Sequence, residues 1–380
     1  MGQPGYPGPA GRRVAILLPL SGARAEIGQA MLNAAKLGLD APDTQLDAKD
    51  TGGTPAGAAA AANAAIADGA GLILGPLTSA ETAAVAPVAR SANVAVLAFT
   101  NDPSQAQPGV WTLGITPGQQ VRRLVAAAQA QDRSQIAALL PDTDFGHAMG
   151  DALNQATAAS SLGPPTMRYY PRGMAGINAA TRDLSDYAHR RGPIVAQMRE
   201  ARELGTPEGR RQAQELAKTG IAPPSFNALL LADSGEEALA EIAAVLPYYD
   251  VDRSAVKIMG PALWAATSSG SGHFPGAWYA APDPAARAGF EQVYIAKYGN
   301  APPPLADLAF DAASIARVLA GRGGFSIGAL TQPVGFVGAD GWFALQSDGQ
   351  VRRALAVFSI ERGGPQMLEP APTSGSVPGA

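Results

Sequence analysis

The sequence predicts an α/β chain built from two lobes, each a doubly wound parallel sheet. Three observations carry that reading. Short apolar runs alternate with helix-spaced stretches from residue 13 onward, as they do when each strand is followed by a crossover helix. The apolar runs are nearly continuous rather than alternating, which suits strands buried on both faces. The rhythm then starts afresh beyond about residue 120, and a chain of 380 residues exceeds one ordinary domain.

Taken in order, RVAILLPL (13–20) reads as the first strand and ends at Ser21-Gly22. Residues 26–40 have helical spacing at Ile27, Met31, Ala34, Leu37 and Leu39. A shorter strand over 44–50 leads to Thr54, a helix cap followed by Pro55 at the first helical position, and Gly69 and Gly71 close that Ala-rich helix. LILG (72–75) is the third strand, 79–90 a helix and VAVLAF (94–99) the fourth strand. The second round runs helix 121–131, strand 135–142, helix 145–160 and strand 166–171. Further strands are expected at 226–233, 255–260 and 277–282, then successive helices over 284–299 and 305–321. GADG (338–341) and SDGQ (347–350) are hairpin-turn signals. Residues 181–219 break the rhythm and read as two charged helices, interrupted at Gly205 and restarted by Thr206-Pro207-Glu208. They predict a solvated helical hairpin, with a partner-binding surface as the alternative. The Gly/Pro-rich ends read as flexible segments.

Composition removes several functions. A hydrophobic content of 47% is ample for a core, and a net charge of −4 leaves no electrostatic footprint for nucleic acid. With no cysteines, a disulfide framework, thiolate catalysis and Cys-ligated metals are excluded. No apolar run approaches the ~18 residues of a membrane-spanning helix. The three histidines show no H-x-x-x-H spacing, so no metal is expected. GPLTSAE lacks the glycine that follows the serine of a nucleophile elbow, and neither a Walker pattern nor a dinucleotide fingerprint occurs. Catalysis is therefore not expected, although an acid/base pair of carboxylates would leave no sequence signature.

What remains is a set of polar elbows at the predicted strand ends: Leu20-Ser21-Gly22, Thr78-Ser79, Thr100-Asn101-Asp102, Asp142-Thr143-Asp144 and Asp233-Ser234. Open α/β sheets bind ligands outside the carboxyl ends of their strands, where helix N-termini offer free N–H groups. The same residue types are favoured there simply as caps. One elbow is a cap as readily as a contact, whereas five of them in two lobes point to a cleft.

The stretches VAILLPLSGARAEIGQAMLNAAKLGLD, LILGPLTSAETAAVAPVARSANVAVLAFTND, ALLPDTDFGHAMGDAL and DLAFDAASIARVLA together resemble the type I periplasmic binding proteins, in their leucine/isoleucine/valine-binding-like branch. The resemblance covers about residues 12–362 and implies a Venus-flytrap fold whose lobes are joined by three crossovers, here near 115–120, 281–285 and 328–336. Lobe 1 would comprise 12–117 plus 284–330, and lobe 2 118–283 plus 331–362 with the helical insertion 181–219, between a flexible leader (1–11) and tail (363–380). In branched-chain amino-acid binders of this fold, a serine-rich elbow after the third strand and a threonine-bearing loop after the fourth hold the ligand carboxylate. An acid of the far lobe takes the ammonium. Ser79 matches the elbow, but Ala80 and Glu81 follow it, Asp102 stands about where the threonine would, and no acid lies near Ala262. A carboxylate repels a ligand carboxylate, and an unpaired ammonium forgoes a charge-assisted bond of ~1.5–3 kcal/mol, so a free amino acid is a poor expectation.

LLPLSG, LILGPL, VAVLAFTND, FNALLLADSGEEALAEIAAVLPYYDVD and PVGFVGADGWFALQSDGQVRRALAVFSI are similar to versions in LpoA-like penicillin-binding-protein activators, outer-membrane lipoproteins that stimulate peptidoglycan synthases. This implies a non-catalytic periplasmic regulator with a penicillin-binding protein as partner, reaching the membrane only through a lipid anchor outside residues 1–380. The alternative is an ABC-transporter receptor serving a permease and holding an amino acid, an amide or another small polar ligand between the lobes. Its cleft would be lined by Ser21, Thr78, Ser79, Thr100, Asn101, Asp102, Asp144, Phe145 and Ser234, with Trp264 stacking from the far lobe. Neither reading implies a cofactor or a nucleic acid.

Overall fold

Five parallel strands, β1 (Arg13–Leu18), β2 (Leu46–Asp50), β3 (Ala70–Leu74), β4 (Ala95–Ala98) and β5 (Val110–Thr112), form the first sheet in the order β2-β1-β3-β4-β5. The computed structural model describes residues 13–40, 46–265 and 272–375, so the expected leader and the last five residues of the expected tail lie outside the described residues. The connecting helices are α1 (Ala25–Leu39), α2 (Pro55–Ala67) and α3 (Ser79–Ser91). Ile16, Leu18, Leu72 and Leu97 pack with α1 on one face, and Leu17, Ile73 and Val96 pack with α2 and α3 on the other. Burial on both faces is why these strands read as unbroken apolar runs.

The chain then passes through residues 113–116 into α4 (Pro117–Ala130) and a second sheet. Strands β6 (Ile136–Pro141), β7 (Thr166–Tyr170), β8 (Ala228–Leu231), β9 (Lys257–Gly260) and β10 (Trp278–Ala281) lie parallel in the order β10-β9-β8-β6-β7. α4 and α5 (Asp144–Ala159) cover one face, with Ala138, Leu140 and Leu230 beneath them. α6 (Met174–Leu184) and α9 (Glu236–Tyr248) cover the other, over Leu139, Leu229 and Leu231. Between α6 and α9 stands the expected helical hairpin, α7 (Tyr187–Glu203) and α8 (Pro207–Ala217), restarted by the Thr206 cap on Gly209 N–H at 3.0 Å. It begins later than residue 181, because Arg182–Leu184 continue α6 onto the sheet. Arg190 roots the hairpin by donating to the carbonyls of Ala222, Tyr249 and Asp250.

Residues 282–283 return the chain to the first lobe, where α10 (Pro284–Tyr298) and α11 (Ala306–Ala320) add Phe290, Tyr294, Ala309 and Ala316 to the α1 core. After α12 (Ile327–Leu330), strands β11 (Phe336–Gly338), β12 (Gly341–Leu345) and β13 (Val351–Arg353) make a small antiparallel sheet at the two predicted turns. Phe336, Phe343, Leu345 and Val351 from this sheet lie in the core of lobe 1. Lobe 1 therefore runs on to residue 353, and the third passage falls at 354–355 rather than near 328–336. GWFAL is buried on both sides, with Phe343 and Leu345 in that core and Trp342 and Ala344 in a separate small cluster. β14 (Ala356–Glu361) then pairs antiparallel with β10, and β15 (Gly364–Glu369) with β14. Part of the expected tail is thus an edge strand, because the Arg362-Gly363 turn folds it back onto β14.

One buried polar knot ties this architecture together. The fully buried Arg353 places Nη1 3.6 Å from Asp311 Oδ2 and 3.6 Å from Asp340 Oδ2, and its Nη2 donates to Leu113 O at 3.1 Å. Asp311 Oδ1 accepts the Ala339 N–H at 2.5 Å, and one turn earlier on α11 Asp307 accepts from Arg287 Nε at 2.7 Å. Burial pushes the Asp311 and Asp307 carboxyls up, each to about 7. The Asp340 charge adds to both shifts, while Arg353 opposes the first and Arg287 the second. A carboxyl that holds its proton more tightly when folded stabilises the fold fully below its unfolded value near 4. That contribution is lost as pH rises through about 7. Urea unfolding at pH 5 and pH 8 should show a smaller fall in stability for Asp311→Asn than for the unaltered protein. Equal falls would contradict this assignment.

Candidate functional site

The polar elbows emerge at the carboxyl ends of the strands, and in lobe 1 three of them are hydrogen-bonded to their own chain. After β1, the backbone N–H groups of Leu20 and Ser21 donate to Asp50 Oδ1 at 2.8 and 3.3 Å, and Gly52 N–H donates to the same oxygen at 2.8 Å. The Ser21 hydroxyl and the Gly52 amide are the main reasons that the Asp50 carboxyl sits below the usual carboxylate range. Ser21 itself is exposed.

The elbow after β3 is a reciprocal cap. Thr78 Oγ1 accepts the Glu81 N–H at 3.3 Å, while Glu81 Oε2 accepts the Thr78 N–H at 3.1 Å and the Thr78 hydroxyl at 2.7 Å. Glu81 Oε1 also takes the Thr51 hydroxyl at 2.6 Å. The carboxylate is completely buried, and it satisfies the Thr78 amide immediately ahead of α3.

Ser79, next in the chain, donates its hydroxyl to Asp102 Oδ2, which joins the elbows after β3 and β4. The Asp102 N–H donates to Thr100 Oγ1 at 3.1 Å, and Asp102 Oδ1 accepts the Ser104 N–H at 2.9 Å. Burial works against the Asp102 charge, but the bonds from Ser79, Ser104 and Gln105 outweigh it and hold the carboxyl below its ordinary value. Asp102 is therefore ionised across the neutral range. Thr100 is buried, Asn101 beside it is exposed, and the Thr100 carbonyl accepts the Gly114 N–H at 3.1 Å, which brings the first interlobe passage against this elbow. A Cβ at Gly114 would fall 2.7 Å from Thr100 O and from Asn101 N and Cα, so only glycine lets the passage run there.

In lobe 2 the expected residues are arranged differently. Asp144 is the exposed first residue of α5, whose cap is Thr143, and Phe145 is half-buried against the α4/α5 core. Ser234 follows Asp233, whose Oδ2 accepts the Tyr170 hydroxyl at 2.9 Å and whose Oδ1 accepts the Gly235 N–H at 2.8 Å. Burial and then the Asp233 charge push the Tyr170 hydroxyl well up, so it stays a donor. Trp264 is only 3% exposed, stacks on Phe274 at 6.0 Å and donates from Nε1 to Asp233 O at 2.8 Å. Its ring is part of the lobe 2 core and does not stand free to stack on a ligand, because the strand end at Asp233 draws it inward.

Two site residues were not given a role by sequence reasoning: Asp50, and Glu81, which was named only as a departure from the family's serine-rich elbow. The first carried no signal beyond its place at a strand end. The second was legible as Thr-x-x-Glu ahead of an apolar helix. Among the described residues no group of three or more His, Asp or Glu could hold a metal ion, and no helix is long and apolar enough to cross a membrane.

Two lobes of parallel sheet joined by three passages, with their polar elbows at the strand carboxyl ends, define a bilobal binding protein. The family profile of the periplasmic binding proteins matches residues 12–365, and the chain belongs to that family, in its leucine/isoleucine/valine-binding-like type I branch. No curated protein matches the sequence. Among solved structures it is similar to a protein of Rhodospirillum rubrum assigned to a branched-chain amino acid ABC transporter (19% identity, TM-score 0.68, covering 94% of this chain and 99% of that one). It is also similar to the C-domain of LpoA from Haemophilus influenzae, a regulator of PBP1A (15% identity, TM-score 0.65, 94% and 99%). A third likeness is to the leucine-binding protein LivK of Thermotoga maritima (16% identity, TM-score 0.54, 93% and 97%). At these identities the likeness is one of fold.

The bonding at the elbow sets a clear order of mutational cost. Glu81→Ala strands the buried Thr51 hydroxyl and the Thr78 amide and should cost about 1–3 kcal/mol in urea unfolding. Ser79→Ala removes one charge-assisted bond from a partly solvated carboxylate that keeps its Ser104 and Gln105 donors, and should cost less than Glu81→Ala, about 1 kcal/mol. The reverse order would show that Ser79, not Glu81, holds the elbow.

Proposed function

We propose that the protein is a non-catalytic periplasmic regulator of the LpoA type, acting through contact with a penicillin-binding protein rather than by carrying a solute. The observation that supports this most is the state of the α3 elbow. Glu81 caps its backbone, Ser79 is committed to Asp102, and Asp102 is ionised. A ligand α-carboxylate arriving there would meet a carboxylate where it needs donors, and would find the nearest hydroxyl already engaged. Overlap with the LpoA C-domain is compatible with this reading, as overlap with the transporter proteins is with the alternative. The three histidines each bond to an acid of lobe 2: His147 to Asp142, His189 to Asp186 and His273 to Glu236. Ser79 therefore has a carboxylate, not an imidazole, as its partner, and no turnover sensitive to Ser79→Ala is expected. Attachment to the outer membrane would come through a lipid outside residues 1–380.

A transporter receptor is the second reading, and Asp102 is the observation that favours it. Its ionised carboxylate would accept a cationic or neutral polar ligand, an amide or amine, in place of an amino acid.

Native mass spectrometry against purified class A penicillin-binding proteins should show a complex at micromolar concentration, and none at that concentration would overturn the regulator reading. In parallel, leucine, isoleucine and valine at millimolar concentration should leave the melting temperature unchanged. Binding at a concentration 100 times Kd would add about 2.7 kcal/mol and be readily seen. A rise with one amine or amide alone would move the assignment to a receptor.

A further inference from the structure

The last described residues make a fourth connection between the lobes, beyond the three passages. β15 belongs to the lobe 2 sheet, and Glu369 at its end pairs with Arg123 Nη2 of α4 at 2.8 Å. The same guanidinium reaches Pro370 O at 3.4 Å. Ala371 packs both on the lobe 2 core and on the cluster of Trp342, Ala344 and Ala354, and Pro372 is buried. At Gly375 the chain has arrived on the small antiparallel sheet, where Arg352 Nη2 donates to Gly375 O at 3.0 Å. The Trp342 indole lies so close that a Cβ on residue 375 would fall 2.5 Å from its Cη2. Trp342 is 4% exposed and fixed by its own Nε1 bond to Val334 O at 2.9 Å. The opposite face of that sheet is core of lobe 1, so the segment starts on one lobe and ends on the other.

We propose that Glu369–Gly375 is an interlobe strap that holds the lobes at a set angle. Hinge motion in a two-lobed protein is absorbed by backbone rotation at a few connecting residues, here 113–116, 282–283 and 354–355. The strap runs beside the third of these, packed on Ala354. Rotating one lobe against the other therefore drags the strap along Trp342 or lifts it off. Pro370 and Pro372 stiffen the segment, so it transmits that restraint instead of slackening. The inference is independent of which partner or ligand the protein takes.

The chain has no cysteine, so spin labels introduced at Ala83→Cys and Glu237→Cys report only the interlobe distance between the exposed starts of α3 and α9. Pulsed dipolar spectroscopy on the full chain should give one narrow distance distribution. Gly375→Val, which forces the strap end off Trp342 without altering a core side chain, should add a second, longer-distance population. Ending the chain after Glu369 should do the same. If the shortened chain loses its circular dichroism signal, Gly375→Val alone decides. Distributions unchanged by Gly375→Val in a folded protein would overturn the proposal.

Discussion

The buried Arg353 is the point on which the bilobal arrangement turns. It stands at the end of the last strand of lobe 1, one residue before the third passage, and reaches back to the carbonyl of Leu113 at the first passage. Two of the three connections are thereby fixed by one side chain. The flanking α4 completes the arrangement, with Gln119 Nε2 on Val351 O at 2.6 Å and Arg123 Nε on Leu355 O at 2.8 Å. A guanidinium suits this role because one arm of its planar fork can bond Leu113 O while another carries its charge toward the two carboxylates. Its countercharges, Asp311 and Asp340, come from α11 and the β11–β12 turn, so helix, turn and hinge are positioned by a common contact. Such a buried group adds little net stability, since desolvation offsets the attraction; its effect is to specify one arrangement of the passages.

The same logic of internal neutralisation governs the elbow. A helix N-terminus at a strand end is a ready anion site, and in this chain the anions are its own. Glu81 sits inside the capping box of α3, and Asp102 receives the hydroxyl of Ser79. Charge-assisted bonds of this kind are about twice as strong as neutral ones, so an incoming carboxylate would have to displace interactions that need no loss of translational freedom to form.

Much of this was legible in the chain. Continuous apolar runs located seven strands of the two main sheets, because burial on both faces leaves no alternation to confuse with a loop, and the half-exposed edge strands β2 and β7 were placed by the rhythm around them. The Thr54-Pro55 and Thr206-Pro207 starts carried their own capping chemistry. The short β5 was missed because Val110–Thr112 is three residues long and owes its strand conformation to pairing with β4. β15 was missed because GPQMLE has edge-strand composition, exposed on its outer side and indistinguishable from a linker without its partner. The boundary of lobe 1 was misplaced for a related reason. Phe343 and Val351 pack on lobe 1 beside Arg353 and Asp311, residues 42 apart in sequence whose pairing no local pattern encodes. At the site, the strand-end positions were legible from the sequence, whereas the Ser79–Asp102 bond crosses 23 residues and appears only in the fold.

Elbow and hinge lead to one conclusion by separate routes. A ligand closes a two-lobed protein only by as much as it binds the closed state better than the open one. That difference must come from donors and acceptors that are free in the open form and satisfied on closure. Where Thr78, Ser79 and Thr100 already bond to Glu81 and Asp102, the gain available to a carboxylate ligand is small. Where Arg353 ties two passages together, the cost of rotating the lobes is raised. In the proposed regulator, a small driving force against a restrained hinge would leave the lobes as a fixed scaffold whose outer surfaces stay constant for a macromolecular partner.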